Sequence, residues 1–231
     1  MRIFLLLFNA NKYKIKINIV SIDYLTGGVL VESDKNRNHP IKGARIAVEP
    51  IRSVEDVKSI SKMLSDDPRN NLLFVLGVNN GLRTGDLLRL KVADLKSLNV
   101  GDYLNIRESK TGKSNILVVN KSVSKALKKY LESEEPADDS YLFASRKSKD
   151  EPIQIQAVNK MIKSWTKAIN LKGNYGAHTL RKTWGYLQRT VHGVGFEIIA
   201  KRFNHSNPAT TMRYLGIEDR EVHNTLMNEI G

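Results

Sequence analysis

Close to its C-terminus the chain reads Asn204-His205-Ser206-Asn207-Pro208-Ala209-Thr210-Thr211-Met212-Arg213-Tyr214. Pro208 suits the first turn of a helix, where its missing N–H is not needed. A short helix is therefore expected over Pro208–Leu215, preceded by another over Phe196–Phe203. Asn204 tolerates the left-handed backbone needed between them. His205 then falls in the turn, and Tyr214 lies nine residues further on. Taken alone, a tyrosine on a short helix is most often half core, with its hydroxyl at the surface.

Upstream, His178-Thr179-Leu180-Arg181 opens a helix expected over about His178–Val191. A spacing of three puts His178 and Arg181 on one face. Both donate hydrogen bonds to oxygen, so the pair suits a phosphate, although such a pair alone is more often a satisfied polar cluster. Gly176-Ala177 before it permits close backbone approach. A further helix is expected over Ile155–Asn170, with a break at Gly173–Gly176.

Two strands, about Tyr103–Glu108 and Asn115–Val119, flank Ser109-Lys110-Thr111-Gly112-Lys113-Ser114 as a hairpin tip. The Gly112-Lys113-Ser114 triplet is not a nucleotide-binding loop, because that loop needs a glycine where Arg107 stands and a helix to follow. Lys110 and Lys113 are either solvated tip residues or mobile ammonium groups for a phosphate.

Leu72–Val78 reads as a buried helix that Gly81 ends with a left-handed cap. Arg83 then starts the next helix, where free N–H groups favour anions, and that helix carries Leu87, Leu88 and Leu90. Asp86, one turn later, is placed to orient the Arg83 guanidinium; alone, the two read more commonly as a surface ion pair. Ser53 with Asp56 suits a helix start, followed by the stripe Val57, Ile60, Met63 and Leu64. Asp66-Asp67-Pro68 interrupts it, and Ser122–Glu134 is amphipathic.

The first fifty residues have another texture. Tyr13–Ile19 alternates polar and apolar, a strand period. Thr26-Gly27-Gly28 signals a turn before Val29–Val31, and Ser33–Asn38 reads as a polar linker.

The 231 residues carry 37 Lys and Arg against 24 Asp and Glu, a net charge of +13. Between Pro152 and Ile217 there are ten Lys or Arg and a single acid, Glu197, so most of the excess is C-terminal. A surface of that kind attracts phosphate backbones, or is merely basic and soluble. The chain contains no cysteine, which excludes disulfides, thiolate metal sites and a cysteine nucleophile. No apolar run reaches the roughly 18 residues of a membrane span, so a soluble, cytoplasmic protein without a membrane partner is expected.

Each pattern is weak alone; their order is specific. Arg83, Lys110, His178, Arg181, His205 and Tyr214, with the words Gly-Leu-Arg-x-x-Asp-Leu-Leu-x-Leu, His-x-Leu-Arg-x-Thr and Asn-His-Ser…Thr-Thr-x-x-Tyr around them, resemble the signature of the tyrosine recombinase (phage integrase) family. The resemblance covers roughly Pro50 to Ile217. It implies an α+β, mainly helical catalytic domain with a small antiparallel hairpin over residues 50–217. It implies an enzyme that cleaves and rejoins double-stranded DNA through a 3′-phosphotyrosine, without ATP, metal or other cofactor. In that reading Tyr214 is the nucleophile, Arg83 and Arg181 clamp the phosphate oxygens, and Lys110 protonates the leaving 5′-oxygen. His178 acts as base or hydrogen-bond partner, His205 donates to a phosphate oxygen, and Asp86 supports them from behind. Lys113, Lys182, Lys201, Arg202 and Arg213 are expected to contact DNA, and protomers to associate into a tetrameric synapse.

The family usually has glycine where Asn204 stands. Full-length members also carry a helical core-binding domain of about a hundred residues before the catalytic one. Residues 1–49 read instead as strand and linker, with His39-Pro40-Ile41 resembling the interdomain junction, so the core-binding domain is expected to be missing. Residues 218–231 form a tail whose Val222, Leu226 and Ile230 repeat every four residues, a stripe suited to a partner surface. The alternatives are a non-catalytic DNA-binding remnant that regulates a complete recombinase, and a topoisomerase- or resolvase-type use of the same residues.

Overall fold

The computed structural model describes residues 5–11, 14–22, 29–30, 47–148, 150–217, 223 and 225–229. They divide into two compact units, Met1–Ile46 and Ala47–Gly231. In the first, strands β1 (Leu5–Asn11), β2 (Lys14–Ile22) and β3 (Val29–Leu30) form an antiparallel sheet in that order. The register pairs Leu5 with Val20, Asn11 with Lys14, and Ser21 with Leu30. The alternation of Lys14, Lys16 and Asn18 with Ile15, Ile17 and Ile19 supplies the period of β2. The expected linker Ser33–Asn38 and the junction His39-Pro40-Ile41 lie outside the described residues.

The second unit is helical. α1 (Val54–Met63) starts at Ser53, whose hydroxyl accepts from the Glu55 and Asp56 amides at 3.1 and 3.2 Å. α2 (Pro68–Asn80) starts at Asp67, whose carboxylate accepts from the Asn70 amide at 3.1 Å, and carries Pro68 in its first turn. Both are caps that satisfy otherwise orphan N–H groups. α2 buries Leu72, Leu73, Phe74, Leu76 and Val78, so it is apolar around most of its circumference and runs through the core rather than along the surface. Gly81 ends it at φ 58°. That conformation, and a Cβ that would lie 2.6 Å from the Trp184 ring, make glycine necessary there.

After α2 come a single turn, α3 (Thr84–Leu87), and a 3-10 turn at Val92–Asp94. Strands β4 (Tyr103–Arg107) and β5 (Ser114–Val118) pair antiparallel from Tyr103–Val118 to Arg107–Ser114. α4 (Lys121–Glu134) and α5 (Ile155–Ala168) follow, then α6 (Ala177–Thr190), α7 (Phe196–Phe203) and α8 (Pro208–Leu215). This is the α+β, mainly helical architecture with a small hairpin expected from the sequence. The helix expected to reach Leu90 ends at Leu87.

α2 packs against both α4 and α6. The approach to α6 is close because position 77 is glycine: a Cβ there would lie 2.6 Å from Leu180 Cδ1. A second apolar cluster, centred on Tyr186, Ile199, Phe203, Leu215 and Ile217, joins α6, α7 and α8, with Tyr214 at its margin. Burying each such large side chain contributes about 1.5–3 kcal/mol. Among the described residues no helix is long and apolar enough to cross a membrane. In the tail, Val222 and Ile230 lie outside the described residues and Leu226 is exposed.

Candidate active site

The site is built on the C-terminal end of α2. A helix ends with carbonyls that lack intrahelical partners, and here two arginines take them. Arg181, on α6, donates Nη1 to the Gly81 carbonyl at 2.8 Å and Nη2 to the Phe203 carbonyl at 2.7 Å. Arg202, on α7, donates Nε to the Asn80 carbonyl at 2.9 Å and Nη1 to Asn115 Oδ1 at 2.6 Å. The Asn80 side chain turns the other way, accepting from the Val118 amide at 2.8 Å, and so fixes β5 to α2. Burial lowers the pKa of both guanidinium groups to about 10, leaving each charged near neutrality.

Arg83 follows at once, as the extended residue that opens α3. Its Nη1 forms an ion pair with Glu108, whose side chain is fully buried. The same carboxylate accepts from Thr111 Oγ1 at 2.7 Å and Asn115 Nδ2 at 2.9 Å. Burial raises the Glu108 pKa, but the bonds from Thr111, Asn115 and Arg83, with Asn204 nearby, outweigh it and hold the value at about 2. The Asn204 amide nitrogen is buried and meets no acceptor at full hydrogen-bond geometry, so we assign it only a weak share. The expectation that Asp86 orients Arg83 is corrected here. Asp86 Oδ1 accepts from the Ser109 amide at 2.9 Å, from Ser109 Oγ at 2.8 Å and from Arg89 at 2.8 Å. Asp86 thus anchors the hairpin, and Arg83 pairs with Glu108 instead.

α6 brings His178 and Arg181 beside Arg83. His178 is exposed at the helix start, yet its pKa is depressed, first by lost solvation on its packed side, then by Arg181, Lys110, Lys182 and Arg83. Asn204, at φ 54°, caps α7 and turns the chain so that His205 faces the site. His205 Nδ1 lies 2.9 Å from Thr211 Oγ1, and its ring packs against Phe203 and Tyr214. Burial, then Arg181 and Arg83, lower its pKa to about 4, so the ring is neutral at pH 7.

Tyr214 completes the cluster. Its hydroxyl is buried with no hydrogen-bond partner at full geometry. Burial raises the phenol pKa, and the charges of Arg181 and Arg83, with a weak hydrogen bond from Arg181 that falls short of full geometry, pull against it. Lys182, itself 8% exposed, holds its ammonium 4.7 Å from the centre of the Tyr214 ring.

The structure therefore brings together Arg83, His178, Arg181, His205 and Tyr214, with Lys110 close enough to affect His178. Lys110 and Lys113 are exposed at the hairpin tip, as are Lys201 and Arg213 on their helices. Lys182 and Arg202, expected at a DNA surface, are engaged inside the site. Glu108 and Asn115 were not singled out from sequence; the available signal is that Glu108 is the one acid between Tyr103 and Val118, among Arg107, Lys110 and Lys113. Among the described residues no three His, Asp or Glu gather at metal-binding range.

The sequence profile of the phage integrase family matches residues 52–221. The chain is 34% identical over 175 residues to the probable integrase/recombinase YoeC of Bacillus subtilis (strain 168), covering 74% of this chain and 91% of that protein. It is 28% identical over 197 residues to the tyrosine recombinase XerC of Caldanaerobacter subterraneus subsp. tengcongensis, but spans only 54% of its length. Among solved structures, the XerA recombinase superposes with a TM-score of 0.63 at 24% identity, over 79% of this chain and 67% of that one. A lambda integrase bound to a core site superposes with a TM-score of 0.57 at 20% identity, over 80% and 51%. A profile match across most of the second unit, on a site in which two arginines, two histidines and a tyrosine meet, has one consequence: the chain belongs to the phage integrase family.

Proposed function

We propose that the chain is a site-specific recombinase that cleaves and rejoins double-stranded DNA through Tyr214. The carrying observation is that Arg83 and Arg181 both bear electrostatically on the buried hydroxyl of Tyr214, which makes no hydrogen bond at full geometry. A phosphodiester entering there meets donors on its non-bridging oxygens and an oxygen nucleophile in reach.

Tyr214 Oη forms a bond to phosphorus while the bond to the 5′-oxygen breaks, leaving a 3′-phosphotyrosine and a 5′-hydroxyl. The phenol proton passes to neutral His178 or to water, and Lys110 supplies the proton to the leaving oxygen. Arg83 and Arg181 stabilise the charge on the pentacoordinate phosphorus. Neutral His205 shares a hydrogen bond between Nδ1 and Thr211 Oγ1; in the tautomer in which Thr211 donates, Nε2 carries the proton and is a further donor to the phosphate. A 5′-hydroxyl from a partner strand then attacks the phosphotyrosine, and because the ester bond is conserved, no ATP is consumed. Asp86 acts on this chemistry by anchoring Ser109 beside Lys110.

The exposed Lys113, Lys201 and Arg213 contact the phosphate backbone, and assembly on DNA is a synapse of four protomers. The test is a nicked suicide duplex: a covalent protein–DNA adduct that maps to Tyr214 is expected. An adduct on Tyr175 or Tyr186, or DNA binding without any adduct, overturns the reading.

A further inference from the structure

We propose that Glu108 is a positioning residue of the cleavage site, coupling Arg83 to the Lys110 hairpin through one carboxylate. The inference rests on the function proposed above. Glu108 Oε2 accepts from both Arg83 and Thr111, and Oε1 from Asn115. A buried carboxylate is tolerated only when donors meet its lone pairs; here three do, and each leads to a different part of the site.

Thr111 and Ser109 flank Lys110. Thr111 is held by Glu108 and Ser109 by Asp86, so both neighbours of the lysine are anchored by carboxylates while Lys110 itself is exposed. Asn115 passes the connection to Arg202 at 2.6 Å. Arg83 makes no other side-chain hydrogen bond among the described residues, so its orientation depends on Glu108, and its remaining N–H groups are available to a phosphate. A guanidinium on the phosphate and an ammonium on the leaving oxygen must be placed together to within an ångström or so. One carboxylate bonded to the first and to the neighbour of the second does this.

The experiment uses the full chain and a suicide duplex carrying oxygen or sulfur at the bridging 5′ position. A thiolate leaves without a proton, so sulfur removes the need for Lys110. Thr111→Val cuts only the arm to the hairpin; it is expected to slow oxygen cleavage about tenfold and to cleave the sulfur duplex within about twofold of wild type. Glu108→Gln disturbs both arms; it is expected to slow oxygen cleavage about a hundredfold and to recover about tenfold with sulfur, the rest being the share of Arg83. Thr111 is exposed, so its variant carries the test if Glu108→Gln does not fold. Equal losses on both duplexes, or full oxygen cleavage by Glu108→Gln, overturn the proposal. So does failure of sulfur to rescue Lys110→Ala in a chain whose wild type cuts both duplexes. A wild type that forms no adduct with either duplex overturns the proposed function first, and this inference with it.

Discussion

Lys182 and Tyr214 are stacked, with the Lys182 ammonium 4.7 Å from the centre of the phenol ring. A cation over an aromatic face is attracted to it by about 0.5–2 kcal/mol, and more strongly when the ring carries the charge of a phenolate. Burial disfavours that phenolate, and Lys182 works against the penalty. Lys182→Met keeps the apolar stem and removes the charge. Adduct formation is expected to fall about tenfold, with the optimum displaced to higher pH. A rate profile that drops without moving along the pH axis would mean that Lys182 only packs.

Tyr214→Phe is expected to separate chemistry from stability. The variant loses the nucleophile and forms no adduct, while DNA affinity stays within about twofold. Because the hydroxyl is buried with no bond at full geometry and only a weak contact from Arg181, removing it relieves up to about 1–3 kcal/mol of desolvation cost, so the Phe variant melts at or above the wild-type temperature. A clear loss of stability would show that the hydroxyl has a bond in the folded chain.

Lys110 and Lys113 share one exposed turn, but Lys110 is the one whose two neighbours, Ser109 and Thr111, have their side chains held by buried carboxylates. Lys110→Ala is expected to lose more than about a hundredfold in cleavage of the oxygen duplex and to recover with sulfur. Lys113→Ala is expected to weaken DNA binding and reduce its salt slope by about one, with no sulfur effect. Rescue of Lys113→Ala instead would exchange their roles.

Acid lability is expected from His205 and Glu108, with a further share from His178, whose pKa is also lowered. His205 has its pKa lowered from 6.5 to about 4, so the unfolded chain binds its proton first as pH falls. Its contribution is complete above about 6.5 and is lost on acidification toward 4. Glu108 is lowered from 4.5 to about 2; its contribution is complete above 4.5 and lost toward 2. Urea midpoints between pH 7 and pH 4.5 should therefore decline, and His205→Asn should flatten that decline. An unchanged slope in the variant would remove His205 as the cause.

Gly77→Ala tests the helix contact that sets the site. The added Cβ would meet Leu180 at 2.6 and 2.8 Å, and Leu180 is the neighbour of Arg181. A loss of about 1–3 kcal/mol is expected from overpacking, with adduct formation falling beyond the fraction unfolded. Wild-type stability in the alanine variant would show that α6 can shift without consequence.

The local rules were legible where the cause is local. α7 and α8 have the bounds read from the sequence, because Asn204, Pro208 and the apolar spacing fix them without distant help. Order and context picked out six residues, of which Arg83, His178, Arg181, His205 and Tyr214 meet in the structure and Lys110 lies near His178. The partners were not legible. Asp86 was matched to Arg83 because three positions apart is what a helix joins, whereas its bonds reach 23 residues along the chain to Ser109. Glu108 reads in sequence only as the last residue of a strand. Its burial depends on where the hairpin lies against α2 and α7, a tertiary fact that no window of neighbouring residues contains. Arg202 reads as a surface cation for the same reason, and the structure turns it inward to the Asn80 carbonyl.

The reach of two arginines has a consequence for the making of the protein. Arg181 bonds a carbonyl 100 positions earlier, and Arg202 one 122 positions earlier. Loops of that length close late, after local helices have formed. While α7 and α8 are still being synthesised, the end of α2 lacks Arg202 and the chain lacks Tyr214. A chain whose synthesis has stopped before α7 thus has neither the arginine that holds the Asn80 carbonyl nor the tyrosine proposed as nucleophile. Under the proposed function, both groups reach the site together, with α7 and α8.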